Sequence, residues 1–249
     1  MMLEDILAAT QERVSALPSA VPRSFPEKTR SLSRAIRSVS GANPVIGELK
    51  FASPAGGLLQ SPANAESLAA DLVQGGCVAL SVITEPTFFR GSTDLLIRVR
   101  KLVPVPVLRK DFIIDPGQVY ESRAMGADAI LLIARILGED LLRYASLARF
   151  LGLEPLVEVH TPEEIRQAHA SGAGIIGINN RDLQTMEVDL RTTERLAPLC
   201  GDRLRISMSG IRDPADIRRL KGSVDAFLIG SSLMTASDPR SAMEGFVSA

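Results

Sequence analysis

The chain contains no tryptophan, two tyrosines, two cysteines and two histidines in 249 residues, and each scarcity removes a class of function. Two cysteines, Cys77 and Cys200, cannot frame a disulfide-stapled fold of this length. Each lies among apolar neighbours, where a thiol behaves as a small hydrophobe. His160 and His169 are the only imidazoles, and no Cys/His grouping has the spacing of a zinc site. A charge excess is missing too: 28 Lys+Arg against 29 Asp+Glu leave a formal net charge of −1. With so few stacking aromatics, that balance argues against a nucleic-acid-binding protein. The longest apolar runs, such as residues 129–134, fall far short of the roughly 20 residues that span a bilayer. The opening MMLEDILAATQERV carries acids where a signal peptide needs bases. A soluble, cytoplasmic protein with no membrane contact is expected.

What is present is a core and a repeat. Apolar residues make up 45 % of the chain and charged residues 23 %, a globular balance. From Pro44 onward, short runs of Val, Ile and Leu end in polar or glycine-containing turns and are followed by helical stretches. The runs are VIGELK from Val45, CVALSVI from Cys77, VPVLRK from Val105 and DAILLIA from Asp128. LEPLVEVH from Leu153, GIIGIN from Gly174, RLRISMS from Arg203 and VDAFLIG from Val224 complete them. Their spacing is too long for hairpins and suits β-α units. Their near-continuous apolarity suits parallel strands covered on both faces. Asp115-Pro116, Thr161-Pro162 and Asp213-Pro214 read as helix starts, and Met125-Gly126, Leu151-Gly152 and Ser171-Gly172 as helix stops.

Eight such units fit a closed (β/α)8 TIM barrel better than an open sheet, and no G-x-G-x-x-G follows the first run. The expected class is α/β, a single barrel over residues 45–249 with an N-terminal helical extension, residues 1–44, packed on it. In that extension Leu3, Ile6, Leu7, Val14 and Leu17 keep helical spacing, and Pro18, Pro22 and Pro26 then break the chain. The basic stretch Lys28, Arg30, Arg34 and Arg37 reads either as a solvated helix face or as a positive rim that steers an anionic substrate.

Barrel active sites lie at the C-terminal strand ends. There the sequence places Glu48 and Lys50, two apart and so on one face. It also places Arg109-Lys110-Asp111, Glu158-Val159-His160, Asn179-Asn180-Arg181-Asp182 and Ser207-Met208-Ser209-Gly210. Charged residues at the ends of apolar strands are costly to bury unless paired. Two lysines and two glutamates in one mouth point to acid–base chemistry on an anion; a lysine Schiff base is the open alternative. Ser209-Gly210-Ile211-Arg212-Asp213 and Gly230-Ser231-Ser232 are small-residue loops where a barrel usually holds phosphate. Ser53-Pro54-Ala55-Gly56-Gly57 is a third. Together they point to a sugar-phosphate-like substrate.

The motifs VIGELKFASPAGG, LSVITEPTFFRGS, VLRKDFIIDPGQVYESRAMGADAILLI, LEPLVEVHT, GINNRDL, SGI and LIGSSLM occur in this order. The chain resembles the indole-3-glycerol phosphate synthase family over nearly its whole length. The resemblance implies a lyase of tryptophan biosynthesis that closes the ring of 1-(2-carboxyphenylamino)-1-deoxyribulose 5-phosphate, losing CO2 and water. It implies Lys110 as general acid on the substrate carbonyl and Lys50 as partner of the anthranilate carboxylate. Glu158 would stabilise the cationic intermediate or act as base, and Glu48 would hold the lysines. Asn179, Ser209 and Arg181 match positions that serve catalysis or orient substrate. Phe88, Phe89 and Phe112 match the apolar wall under the aromatic ring, Leu183 a further substrate-binding position, and Ser53, Gly210, Gly230 and Ser231 the phosphate site. No metal or organic cofactor is implied; a monomer or weak homodimer is expected.

One departure stands out. The family usually has Glu-Ser-Gly where this chain has Met208-Ser209-Gly210, and methionine cannot carry a proton. Two outcomes follow: a synthase that works with Glu48 and Glu158, or a catalytically impaired paralogue that binds a sugar phosphate or a partner protein. Phe51 and Ala55 are apolar where the family loop is more often polar, which would weaken closure of the loop after the first strand.

Overall fold

The computed structural model describes residues 2–17, 25, 28–53, 57–182 and 185–249. Helix signals in the sequence become caps. Helix α5 (Pro116–Ala124) starts at Asp115, whose carboxylate accepts from the Gly117 amide at 2.6 Å while Gln118 reaches back in a capping box. Thr161 caps α8 (Pro162–Ala170) and Asp213 caps α10 (Pro214–Leu220) through side-chain oxygens that accept from first-turn amides. At Gly126, Gly152 and Gly172 φ is +85°, +79° and +70°, the left-handed turn that stops a helix without a Cβ penalty.

The eight apolar runs form eight parallel strands: β1 Val45–Leu49, β2 Ala79–Ile83, β3 Val107–Lys110, β4 Ala129–Ile133, β5 Glu154–Val159, β6 Ile175–Asn179, β7 Leu204–Met208 and β8 Ala226–Ile229. Each pairs with its neighbours in chain order, and β8 closes on β1. The expected (β/α)8 barrel is the observed fold. The third strand begins at Val107 rather than Val105.

Two apolar layers hold the barrel. Residues facing outward, among them Leu49, Leu80, Val157 and Ile176, pack under the helices. Those facing inward, among them Ile46, Leu108, Leu131, Leu156 and Ile206, fill the interior. The interior is closed at one end by α2 (Leu32–Arg37), whose Leu32 and Ile36 join that inner layer.

At the same end the polar groups are used up. Arg30 donates to the Val103 and Val105 carbonyls at 2.7 and 2.8 Å. Asp128 accepts from the Arg30 and Val107 amides and pairs with Arg100 at 3.1 Å. Glu154 accepts from Ser31 and Ser33. These partners precede β3 and β4 or begin β5, so the basic stretch lies at the N-terminal strand ends, opposite the mouth. Lys28, Arg34 and Arg37 are solvated and Arg30 is a structural tie; the substrate-steering rim is ruled out by position.

Helix α1 (Met2–Ser15) lies at the other end. Ile6 and Val14 are buried as the spacing predicts, with Leu3, Leu7 and Leu17 half-buried and Thr10 completing the stripe. Arg13 forms a two-pronged pair with Asp111, both bonds 2.8 Å. The three prolines that follow α1 lie outside the described residues.

Candidate active site

The C-terminal strand ends enclose a cavity of about 210 Å³. Glu48, Lys50, Lys110, Glu158, Asn179, Arg181 and Ser209 line it, as do Phe89, Phe112, Ser53, Gly210, Gly230 and Ser231. Period two explains the first pair. Glu48 at the end of β1 and Lys50 just beyond it face the same side and pair at 3.4 Å. Lys110, the last residue of β3, faces Glu158 on β5 at 3.9 Å. The ammonium groups keep access to the cavity, with side chains 15 % and 23 % exposed, whereas the carboxylates are buried at 5 % and 2 %. The partners are close enough to feel each other's charge, and neither pair is saturated. Oε2 of Glu48 and Oε2 of Glu158 are buried without a hydrogen bond. In a buried site such acceptors are costly, and both belong to residues that line the cavity.

Neighbouring groups hold this arrangement. Asn179 donates to Glu158 Oε1 at 2.9 Å and accepts from the Arg181 amide at 3.0 Å. Arg181 donates to the Met186 carbonyl; burial and the nearby Arg212 guanidinium lower its pKa. Asp111, next to Lys110, also lines the cavity but is tied to Arg109, Arg13 and Thr84. Burial pushes its carboxyl up, but Arg109, Arg13 and Thr84 outweigh that and hold it below the usual carboxylate range. Arg109 itself is fully buried away from the mouth, pairing with Glu121 and with Ser122 and the Gln118 carbonyl.

The small-residue loops have steric reasons. A Cβ on Gly230 would come within 2.5 Å of Glu48 Oε1, so this glycine makes room for the carboxylate. Gly210 follows Ser209 with φ of +83° and +64°, and a Cβ there would meet Val188 at 2.3 Å. Asn180 ties the turn down, donating to the Met208 and Ser209 carbonyls and to Ser207 while accepting from Thr193.

Some expectations change. Phe88 is absent from the cavity lining, where Phe89 and Phe112 stand 6.3 Å apart. Both Phe88 and Phe89 amides bond to the buried Glu85 carboxylate, and consecutive residues of that turn point different ways. Phe51 is buried in the core with its carbonyl accepting from Leu59 and Gln60, so its ring supports the loop base rather than facing the ligand side. Ala55, with Pro54 and Gly56, and Leu183 lie outside the described residues.

Met208 lines the cavity, 1 % exposed, with its thioether lying over Gly177, where a Cβ would come within 2.7 Å of its methyl group. Gly177 is the register partner of Glu158. The sequence placed Asn180 at the mouth without its role in holding the turn, and missed Glu85 and the contribution of Met2, Leu3 and Ile6 from α1 to the wall. The spacing that marked α1 as amphipathic was the available signal for the last of these.

The chain matches the family described as Indole-3-glycerol phosphate synthase over residues 3–246. It is 48 % identical over 200 residues to an indole-3-glycerol phosphate synthase of Acetivibrio thermocellus, covering 79 % of this chain and 77 % of that one. It is 38 % identical over 260 residues to that of Carboxydothermus hydrogenoformans, covering 98 % of each. A thiamine phosphate pyrophosphorylase from Pyrococcus furiosus superposes with a TM-score of 0.62 at 19 % identity, over 82 % of this chain and 93 % of that one; this shows the fold alone. On the match along nearly all of its length, the chain belongs to the indole-3-glycerol phosphate synthase family.

Proposed function

We infer that the chain is an indole-3-glycerol phosphate synthase, a carboxy-lyase of tryptophan biosynthesis, working through the two lysine–carboxylate pairs of the mouth. The observation that carries the reading is their layout. Lys110 with Glu158 and Lys50 with Glu48 line one cavity that also holds a two-phenylalanine wall and small-residue loops. Residues 1–44 serve as an extension and residues 45–249 as the catalytic barrel.

The substrate is the anionic sugar phosphate 1-(2-carboxyphenylamino)-1-deoxyribulose 5-phosphate. Its aromatic ring rests on Phe89 and Phe112. Ser53, Gly210, Gly230 and Ser231 receive the phosphate. Arg181, whose charge is opposed by Arg212, gains from a carboxylate brought beside it. The ring carbon bearing the carboxylate attacks the ketone carbon while Lys110 donates a proton to the ketone oxygen. The intermediate carries positive charge on the aniline nitrogen, and the Glu158 carboxylate stabilises it. Loss of CO2 restores the aromatic ring. Lys50 then protonates the hydroxyl, which leaves as water, and Glu48 takes the proton from the adjacent carbon. Asn179 keeps Glu158 aimed, and Ser209 orients the substrate. Each step needs an acid or a base, and the pairs supply both.

Two carboxylates fill the roles that the chemistry requires, so methionine at position 208 leaves the sequence complete. Among the described residues no helix is long and apolar enough to cross a membrane. A multiply charged phosphate ester does not cross a bilayer unaided, which is why we place the enzyme in the cytoplasm, as a monomer or weak homodimer without nucleic acid. The test is to mix the purified chain with the substrate and follow indole fluorescence. Turnover on the order of 0.1 to 10 per second is expected; binding without turnover would overturn the reading.

A further inference from the structure

Behind the Lys110–Glu158 pair lies a second row of charges that the mechanism above does not use. His160 follows Glu158 by two residues, so the strand's alternation turns both to the same side. Its ring is 5 % exposed, with Nε2 3.6 Å from Glu158 Oε1 and Nδ1 3.3 Å from Glu164 Oε2. The His160 amide also donates to Glu164 Oε2 at 2.6 Å. Beyond Glu164 stands Arg135 of α6 (Ala134–Leu137), 3.2 Å from Glu164 Oε1. From the mouth outward the row reads Lys110, Glu158, His160, Glu164, Arg135, with charges alternating in sign if the imidazole is charged. Asn179 on β6 is a further polar neighbour of Glu158.

An ionised carboxylate only accepts hydrogen bonds. A neutral imidazole has one N–H and one lone pair, so it satisfies one carboxylate and turns its lone pair on the other. A ring with a proton on each nitrogen satisfies both. His160 Nε2 is buried without a hydrogen-bond partner, and the nearest acceptor that would complete it is Glu158. The gap of 3.6 Å is of the kind that closes when an active site binds its ligand. Glu164 shows the other side of the bridge. Burial pushes its carboxyl up, but hydrogen bonds from the His160 ring and amide and the charges of His160 and Arg135 hold it below the usual range.

We propose that His160 is a positioning residue that bridges Glu158 to Glu164, donating from one ring nitrogen toward each carboxylate, and so fixes the Glu158 carboxylate in place. The proposal rests on the reading of Glu158 as the group that faces the cationic intermediate. The row behind the mouth then braces a buried carboxylate beside an apolar wall, through His160 ahead of α8 and Arg135 of α6.

The full chain labelled with 15N-histidine gives two imidazoles to observe, and a His169→Gln sample assigns them. Both ring nitrogens of His160 are expected to be protonated near neutral pH. In kinetics, His160→Gln keeps a donor toward Glu158 but no charge, and its kcat is expected to fall about tenfold with KM little changed. The variant also removes the cationic donor that faces Glu158, so the acid limb of the kcat profile is expected to move upward. His160→Leu, which removes the donor as well, is expected to lose more. A merely structural histidine would lower the amount of folded enzyme but leave the pH profile of that enzyme unmoved. A singly protonated His160 near neutral pH would overturn the bridge, and an unshifted acid limb in His160→Gln would overturn the role. An inactive parent protein would count against the synthase reading instead, and the NMR result would still decide the bridge.

Discussion

The two ends of the barrel are built from the same ingredients and use them in opposite ways. At the N-terminal strand ends, Asp128 and Glu154 meet backbone amides, serine hydroxyls and arginines until no acceptor is spare, and α2 seals the interior with Leu32 and Ile36. At the C-terminal ends, Glu48 and Glu158 each keep a buried oxygen without a donor, and their lysines stand at 3.4 and 3.9 Å. A saturated carboxylate contributes stability because removing it strands its partners. An unsaturated one is poised to take a proton or a ligand, and the fold must offset its cost elsewhere. The division matches the general rule that barrel bottoms hold the fold and barrel tops carry chemistry.

The comparison can be broken by substitutions that should separate activity from stability. The largest effect is expected at Lys110→Ala. Loss of the general acid should lower kcat by about 10²- to 10⁴-fold, while thermal unfolding stays near that of the parent. Assays of turnover and melting on one preparation check this, and a large fall in Tm would break the contrast. Asp128→Ala at the bottom should do the reverse. It takes the carboxylate away from Arg100 and from the Arg30 and Val107 amides and should cost about 4 kcal/mol. Turnover per folded molecule, scored against urea unfolding, should not change.

Asp111 sharpens the boundary, because it sits beside Lys110 but is saturated by Arg109, Arg13 and Thr84. Asp111→Asn should cost about 3 kcal/mol near neutrality. Its native carboxyl titrates below the ordinary value, so its contribution is present above the unfolded pKa and is lost as pH falls through the native one. The stability gap between parent and variant should therefore be constant from about pH 5 upward and close below about pH 4; urea titrations across that range read it. The smallest effect is expected at Met208→Glu. The side chains have similar length, and the gap over Gly177 already takes the thioether. A third acid beside Glu158 should raise kcat by only about threefold, since Glu48 and Glu158 already fill the base roles. Its burial should cost about 1 kcal/mol, or about 3 °C in Tm.

The repeat of eight apolar runs made the barrel legible in the sequence, because parallel strands buried on both faces leave a continuous pattern. The mouth residues were legible for a related reason: a closed barrel brings all C-terminal strand ends to one place, and period two chooses Glu48 with Lys50. What could not be read was decided by packing between distant segments. The basic stretch after α1 read either as a solvated face or as a rim, and only the packing decides: α2 carries it to the opposite end, where Lys28, Arg34 and Arg37 are solvated and Arg30 meets carbonyls some seventy residues away. Phe88 and Phe89 are equivalent in sequence, and the Glu85 carboxylate that folds their turn sends only Phe89 to the cavity. Gly230 was marked for phosphate, while the contact that requires glycine there is the Glu48 carboxylate on another strand.

The most direct measurement is urea unfolding and turnover of Glu158→Gln on the same sample. The amide keeps the shape and can still accept from Asn179, and Oε2 has no hydrogen bond to lose. The expected outcome is an unfolding free energy equal to or above that of the parent, with kcat lower by about a hundredfold or more. A fall in stability of about 2 kcal/mol or more with turnover preserved would contradict the division between the two ends, because Glu158 would then belong with Asp128 and Glu154 as a support of the fold.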